Sequence, residues 1–184
     1  MKLLRKRGAG PAPCSSSAFR PLATIFLFII TSVLHSPVYA QLLMQPNISV
    51  AQARQIIDTI IAECSRPGEL VTVTIAVVDR AGQPVMQVRG DTASPHNWEL
   101  AYRKAYTART FRRTSLDWRD RTAGASNLAG QRALSHVVPL GGGAPIMMGD
   151  QPLGGVGVSG AQGGQPADSA CAETGIAAIA NDLE

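Results

Sequence analysis

His96 and His136 are the two histidines beyond residue 40. Imidazole is the side chain whose proton moves most readily near neutral pH and the one that most often holds a metal. Lys104 and Asp79 add further acid or base groups, so Lys104, Asp79 and His136 together could serve a small-molecule enzyme acting on an organic acid or aldehyde. The patterns that would commit the chain to such chemistry are missing: it has no nucleophile elbow, no metal-type spacing and no dinucleotide fingerprint. A second grouping is basic. Arg103, Lys104, Arg109, Arg112 and Arg113 fall on one side of a helical pattern, with Arg119 and Arg121 close behind and the hydroxyls of Thr107 and Thr114 among them. Asp117 and Asp120 interrupt that stripe, and the aromatic residues fall on the other side. Nucleic acid would want aromatics interleaved with the cations, so the stripe reads as a solvated face or an anion site.

The chain that must position these groups is organised around the stretch from Pro139 to Gly160. Two short apolar runs, Ala144 to Met148 and Leu153 to Val158, flank Gly149-Asp150-Gln151-Pro152, which is turn chemistry, so the stretch predicts a β-hairpin. Seven glycines lie in or beside these runs: Gly141, Gly142, Gly143, Gly154, Gly155, Gly157 and Gly160. Glycine inside a strand marks a bulge or a close approach, so either a helix or a flat ligand lies on the glycine face.

Ser49 with Gln52 three residues on is a capping box, and Val50, Ala53, Ile57, Ile60 and Ile61 recur at helical spacing. They predict a first helix from about Val50 to Cys64. Val71 to Asp79 is β-branched and mostly apolar, as suits the middle of a covered sheet. After a turn at Arg80 to Pro84, the run Val85 to Arg89 should pair antiparallel with it. Ser94-Pro95 opens a second helix through Trp98, Ala101, Tyr102, Ala105 and Ala108 to Phe111, with those small and aromatic residues as its buried face. Thr122 to Arg132 reads as a loop, His136-Val137-Val138 as a third strand leading into the hairpin, and Ala167 to Asn181 as a last helix of small apolar residues.

The chain carries 17 basic and 13 acidic residues, a formal charge of +4. That excess comes from the first forty residues. Lys2, Arg5, Lys6, Arg7 and Arg20 precede the apolar run Leu22 to Leu34, and Val38 and Ala40 stand at the −3 and −1 positions of a cleavage site before Gln41. Residues 1–40 therefore read as a secretory signal peptide, with an apolar run too short for a membrane span. Without them 12 basic residues face 13 acidic ones, a formal charge of −1, and the case for nucleic acid or an anionic membrane on charge disappears. What remains is a short arm, residues 41–48, and one domain of ordinary size, residues 49–184. The expected location is periplasmic or secreted. Cys64 and Cys171 remain, and in an oxidising compartment they either pair or stay as two buried thiols.

Four motifs carry a family resemblance: Lys104-Ala-Tyr-Thr-Ala108 followed by Phe111 and Thr114, Gly141-Gly-Gly-Ala-Pro-Ile146, Gly154-Gly-Val-Gly-Val-Ser-Gly160 and Asp168-Ser-Ala-Cys-Ala172. In order and spacing the chain resembles the GlcG/HbpS family from about Ile48 to its C-terminus. The resemblance implies an α/β (α+β) fold, a profilin-like three-layer α/β/α arrangement with a five-stranded antiparallel sheet. It also implies a homo-oligomer and haem binding in exported members, some of which take part in redox or haem sensing with a sensor or redox protein partner. Ser169 departs from the pattern, standing where an acidic residue often follows the aspartate, and this weakens any iron-binding role for acidic side chains near Asp168.

Haem iron takes its axial ligand from His, Met, Cys or Tyr, or more weakly from a hydroxyl. His96 and His136 are thus the metal-ligating candidates. Either Thr107 or Thr114 matches a threonine that the family associates with haem contacts, and Arg113 is suited to a propionate. Lys104, which opens the first motif, completes the cofactor-binding set, while Met147 and Met148 read as core fillers. The leading expectation is an exported haem-binding protein for carriage, scavenging or sensing, with haem near the second helix and the loop after it. The alternatives are the small-molecule enzyme above and an oligomeric interaction module without catalysis.

Overall fold

The computed structural model describes residues 41–65 and 68–183. The expected leader, residues 1–40, lies outside them, as do Arg66 and Pro67. Helix α1 (Val50–Cys64) opens on the expected capping box: Ser49 Oγ accepts from the Gln52 amide at 3.2 Å and Gln52 Oε1 accepts from the Ser49 amide at 3.0 Å. Order begins before that cap. Asn47 Oδ1 accepts from the Arg80 amide at 2.9 Å, and Ile48 is buried in the core.

Strands β1 (Thr74–Asp79) and β2 (Pro84–Arg89) pair antiparallel. Asp79 Oδ1 closes the turn between them by accepting from the Ala81 and Gln83 amides at 2.8 Å each. The glycine-rich stretch forms the hairpin β3 (Gly143–Met148) and β4 (Gln151–Ser159), and β4 also pairs antiparallel with β1. The sheet therefore has the order β2-β1-β4-β3. Helices α2 (Asn97–Phe111), α3 (Ser115–Arg121) and α4 (Gln165–Ala177) complete the set, with 3₁₀ turns at Ala129–Ala133 and Ala180–Leu183.

The sheet has four strands among the described residues, not the five expected. His136-Val137-Val138, expected as a strand, does not form one. His136 adopts φ +64°, a left-handed backbone that interrupts an extended run. The peptide groups after it are satisfied by α2 side chains instead of a ladder: the Val138 amide donates to Thr107 Oγ1 at 3.0 Å, and Arg103 donates to the Val137 carbonyl at 2.6 Å. Helix α2 also starts later than Ser94-Pro95 suggested, because the Asn97 amide closes a turn back to the Ser94 carbonyl at 3.0 Å.

Alternation along β1 separates two helical layers. Ile75 and Val77 enter the main core with Ile56, Ile57 and Ile60 of α1, Val156 and Val158 of β4, and Ala172 of α4, whereas Ala76 and Val78 meet Ala101 and Ala105 of α2. Gly155 and Gly157 lie on the α2 face. A Cβ on Gly155 would stand 2.6 Å from the Ala105 carbonyl oxygen, and one on Gly157 would overlap the Ala101 carbonyl oxygen. Of the two readings of the glycine face, the packed helix is the one found. On the opposite side of the sheet Cys64 and Cys171 form a disulfide, which ties the end of α1 to α4.

Candidate functional site

Lys104 does not stand on the open basic stripe where its neighbours suggested. Its side chain is 3% exposed, and Nζ donates to Asp168 Oδ2 at 2.7 Å and to the Val158 carbonyl at 2.9 Å. Asp168 Oδ1 accepts from the Ala161 amide at 2.8 Å, so one buried pair joins α2, β4 and α4. A buried ammonium needs such partners, and these occupy it. Of the other proposed acid–base groups, Asp79 accepts from two amides of its own turn through Oδ1.

The remaining sequence candidates separate along α2. His96 sits exposed at its N-terminal cap position without a side-chain capping bond, while Arg113 and Thr114 follow its C-terminal end, roughly 20 Å away at 1.5 Å per residue. Arg113 is paired with Asp117 at 2.7 Å, and Thr114 caps α3 by accepting from the Asp117 amide at 3.1 Å. Thr107 is fully buried; its hydroxyl donates to the Arg103 carbonyl at 2.7 Å and accepts from Val138 at 3.0 Å. It tethers the His136 segment to the helix. No group of three or more His, Cys, Asp or Glu side chains is placed to hold a metal ion among the described residues.

His136 has companions of a different kind. Its ring meets Tyr102 edge-on at a centroid distance of 5.8 Å and Tyr106 at 5.6 Å, and the two tyrosines lie 6.0 Å apart. These spacings are those of favourable tilted aromatic pairs. Tyr102 and Tyr106 are one helical turn apart on α2, so they form a continuous surface, and the left-handed backbone at His136 carries the imidazole over it. Gly82, at φ +79° in the turn after β1, leaves room for the Tyr106 ring: a Cβ there would come within 2.8 Å of it. Burial, and then the neighbouring Tyr106, raises the Tyr102 phenol above its ordinary pKa, so it stays protonated at neutral pH.

Cations border this surface. Arg109 Nε donates to the Arg80 carbonyl, and Arg80 reaches the Pro152 carbonyl at 3.0 Å. Burial, then the charges of Arg80 and Arg112, lowers the Arg109 pKa, with Asp79 and Tyr106 acting the other way. The positive charge gathered there exceeds what Asp79 offsets, which favours an anionic ligand group. An imidazole, two phenols and a cluster of guanidiniums are a donor set suited to a planar, carboxylate-bearing, metal-centred ligand. Sequence reasoning placed Tyr102 on the buried face and met Tyr106 only within the Lys104–Ala108 motif. Their one-turn spacing was visible, but the return of His136 over them was not.

Comparison with known proteins follows the same line. Residues 48–177 match the family model described as haem degrading protein HbpS-like. A 15.0 kDa protein of the dhaT-dhaS intergenic region of Citrobacter freundii is 32% identical over 108 residues, which is 58% of this chain and 75% of that protein. Among solved structures, a double mutant of HbpS from Streptomyces reticuli superposes with a TM-score of 0.69 at 26% identity, covering 78% of this chain and 97% of that one. The PduOC:haem complex gives a TM-score of 0.65 at 27% identity, covering 72% and 95%.

Proposed function

This chain belongs to the HbpS-like family, and from that premise we propose that it is an exported haem-binding protein that holds the porphyrin against the outer face of α2. The observation that carries the reading is the His136–Tyr102–Tyr106 cluster bordered by Arg109 and Arg80. His136 would hold the iron, the tyrosine rings would support the flat macrocycle, and Arg109 with Arg112 would meet the propionates. Support comes from a similar chain whose structure is a haem complex. Export is part of the same proposal. The leader-like residues 1–40 argue for it, and the Cys64–Cys171 disulfide suits an oxidising periplasmic or extracellular setting.

Haem titration followed at the Soret band tests the site. His136→Ala is expected to shift the Soret maximum and weaken binding. Arg109→Ala should weaken it by about 1.5–3 kcal/mol and leave the spectrum nearly unchanged, because it removes a charged hydrogen bond and not an iron ligand. His96→Ala, at the far end of α2, should behave as the parent. A parent without saturable Soret change removes the haem reading; a silent His136→Ala with an active His96→Ala or Thr114→Val moves the site along the helix.

A homo-oligomer belongs to the proposal as well, supported by Trp98, which is 48% exposed on α2 where its pattern called for burial. Light scattering at micromolar concentration should give a multiple of the chain mass. A monomer mass alone would contradict it.

A further inference from the structure

The disulfide faces a cavity on the side of the molecule away from the aromatic cluster. A hollow of about 320 Å³ lies between the end of α1 and α4, lined by both Cys64 and Cys171 together with Ser65, Leu70, Ala167 and Ala170. That volume is at the lower end of the range for small-molecule sites. Cys171 itself is only 6% exposed and belongs to the main core, so the bond is shielded from bulky partners yet open to whatever fits the hollow. Ser65 contributes a buried hydroxyl with no hydrogen-bond partner among the described residues. A polar group left in that state favours an occupant with a donor or acceptor of its own.

We propose that this cavity is a thiol-exchange site, in which a small-molecule thiol reduces the Cys64–Cys171 bond while the protein stays folded. The entering thiolate forms a bond to one cystine sulfur as the S–S bond breaks and the other sulfur leaves as a thiolate. A second thiol equivalent then attacks the mixed disulfide and releases the first cysteine. The protein disulfide becomes two thiols, the two small thiols become one disulfide, and the two protons they carried pass to the cysteine thiolates. The reverse sequence, with a small disulfide as oxidant, restores the bond. The site stands independently of haem, since none of its residues belongs to the α2 surface.

The test is reduction of the purified protein by dithiothreitol without denaturant, with thiols trapped by iodoacetamide and Cys64 and Cys171 read by peptide mass. Both cysteines should be labelled within minutes, at a rate proportional to dithiothreitol concentration. Ala170 lines the cavity from the exposed side of α4, so Ala170→Trp should obstruct it and slow reduction at least tenfold with the thermal midpoint unchanged. Ala167→Leu, from the adjoining turn of the helix, should slow it in the same direction and serves if the tryptophan variant fails to fold. A parent reduced only in denaturant, or obstructed variants reduced as fast as the parent, would overturn the proposal.

Discussion

Gly157→Val is expected to destabilise the protein by about 3 kcal/mol or more, at or beyond the upper end of what overpacking normally costs. The size follows from what the new side chain meets. A Cβ at Gly157 overlaps the Ala101 carbonyl oxygen and lies 2.5 Å from the Ala105 amide, both main-chain atoms of α2. A crowded side chain can change rotamer, but a helix backbone can only shift bodily, and α2 is held on this sheet by Lys104, Ala105 and Ala108, all buried. Gly130→Ala is the control, since nothing lies within 4 Å of its added Cβ, and it should fall within about 0.5 kcal/mol of the parent. Urea denaturation of the pair decides the matter. A Gly157→Val midpoint close to that of Gly130→Ala would mean that α2 does not rest on the strand.

The second large effect lies a turn away. Lys104→Met should cost about 3–5 kcal/mol, because it leaves the Asp168 carboxylate buried beside a methyl group. Asp168→Leu should cost at least as much, since it strands both the ammonium and the Ala161 amide. The double variant is the informative one: with both charges gone, the loss should be well below the sum of the singles, the remainder reflecting the unpaired Ala161 amide. Additive losses in denaturant would show that the two side chains act separately. If Lys104→Met cost less than 1 kcal/mol, the pair would have no structural weight.

Much of this architecture could be read locally. Ser49 and Gln52 are three residues apart, and the hairpin announces itself by two apolar runs around a turn, so both were legible without knowing the rest of the chain. The late start of α2 is a local miss, but the larger failures are long-range. His136-Val137-Val138 has strand composition, but its peptide groups are claimed by Thr107 and Arg103, about thirty residues earlier, and no periodicity reports that. Lys104 follows Arg103 in an apparently solvent-facing stripe, yet Asp168, 64 residues downstream, holds it inside. Cys64 and Cys171 carried no motif spacing at a separation of 107, so sequence left pairing and burial both open. The candidate site divides the same way. His136 was singled out on chemistry, whereas Tyr102 and Tyr106 became its neighbours only when the loop folded back over α2.

The Cys64–Cys171 bond also governs how the molecule meets a mechanical load. Tension applied at Met44 and Leu183 runs along α1 to Cys64, crosses the covalent link and leaves through α4. The sheet, α2 and the glycine hairpin all lie between those two cysteines in sequence, inside a closed ring, and cannot be drawn out while the link is intact. Only α1 and the residues beyond Cys171 can then lengthen. Cutting the link frees a further 107 residues of separation, roughly 350 Å of extended chain. A pulling device, whether a protease that threads its substrate or a probe tip, would meet a short tether in the oxidised protein and a long one in the reduced protein.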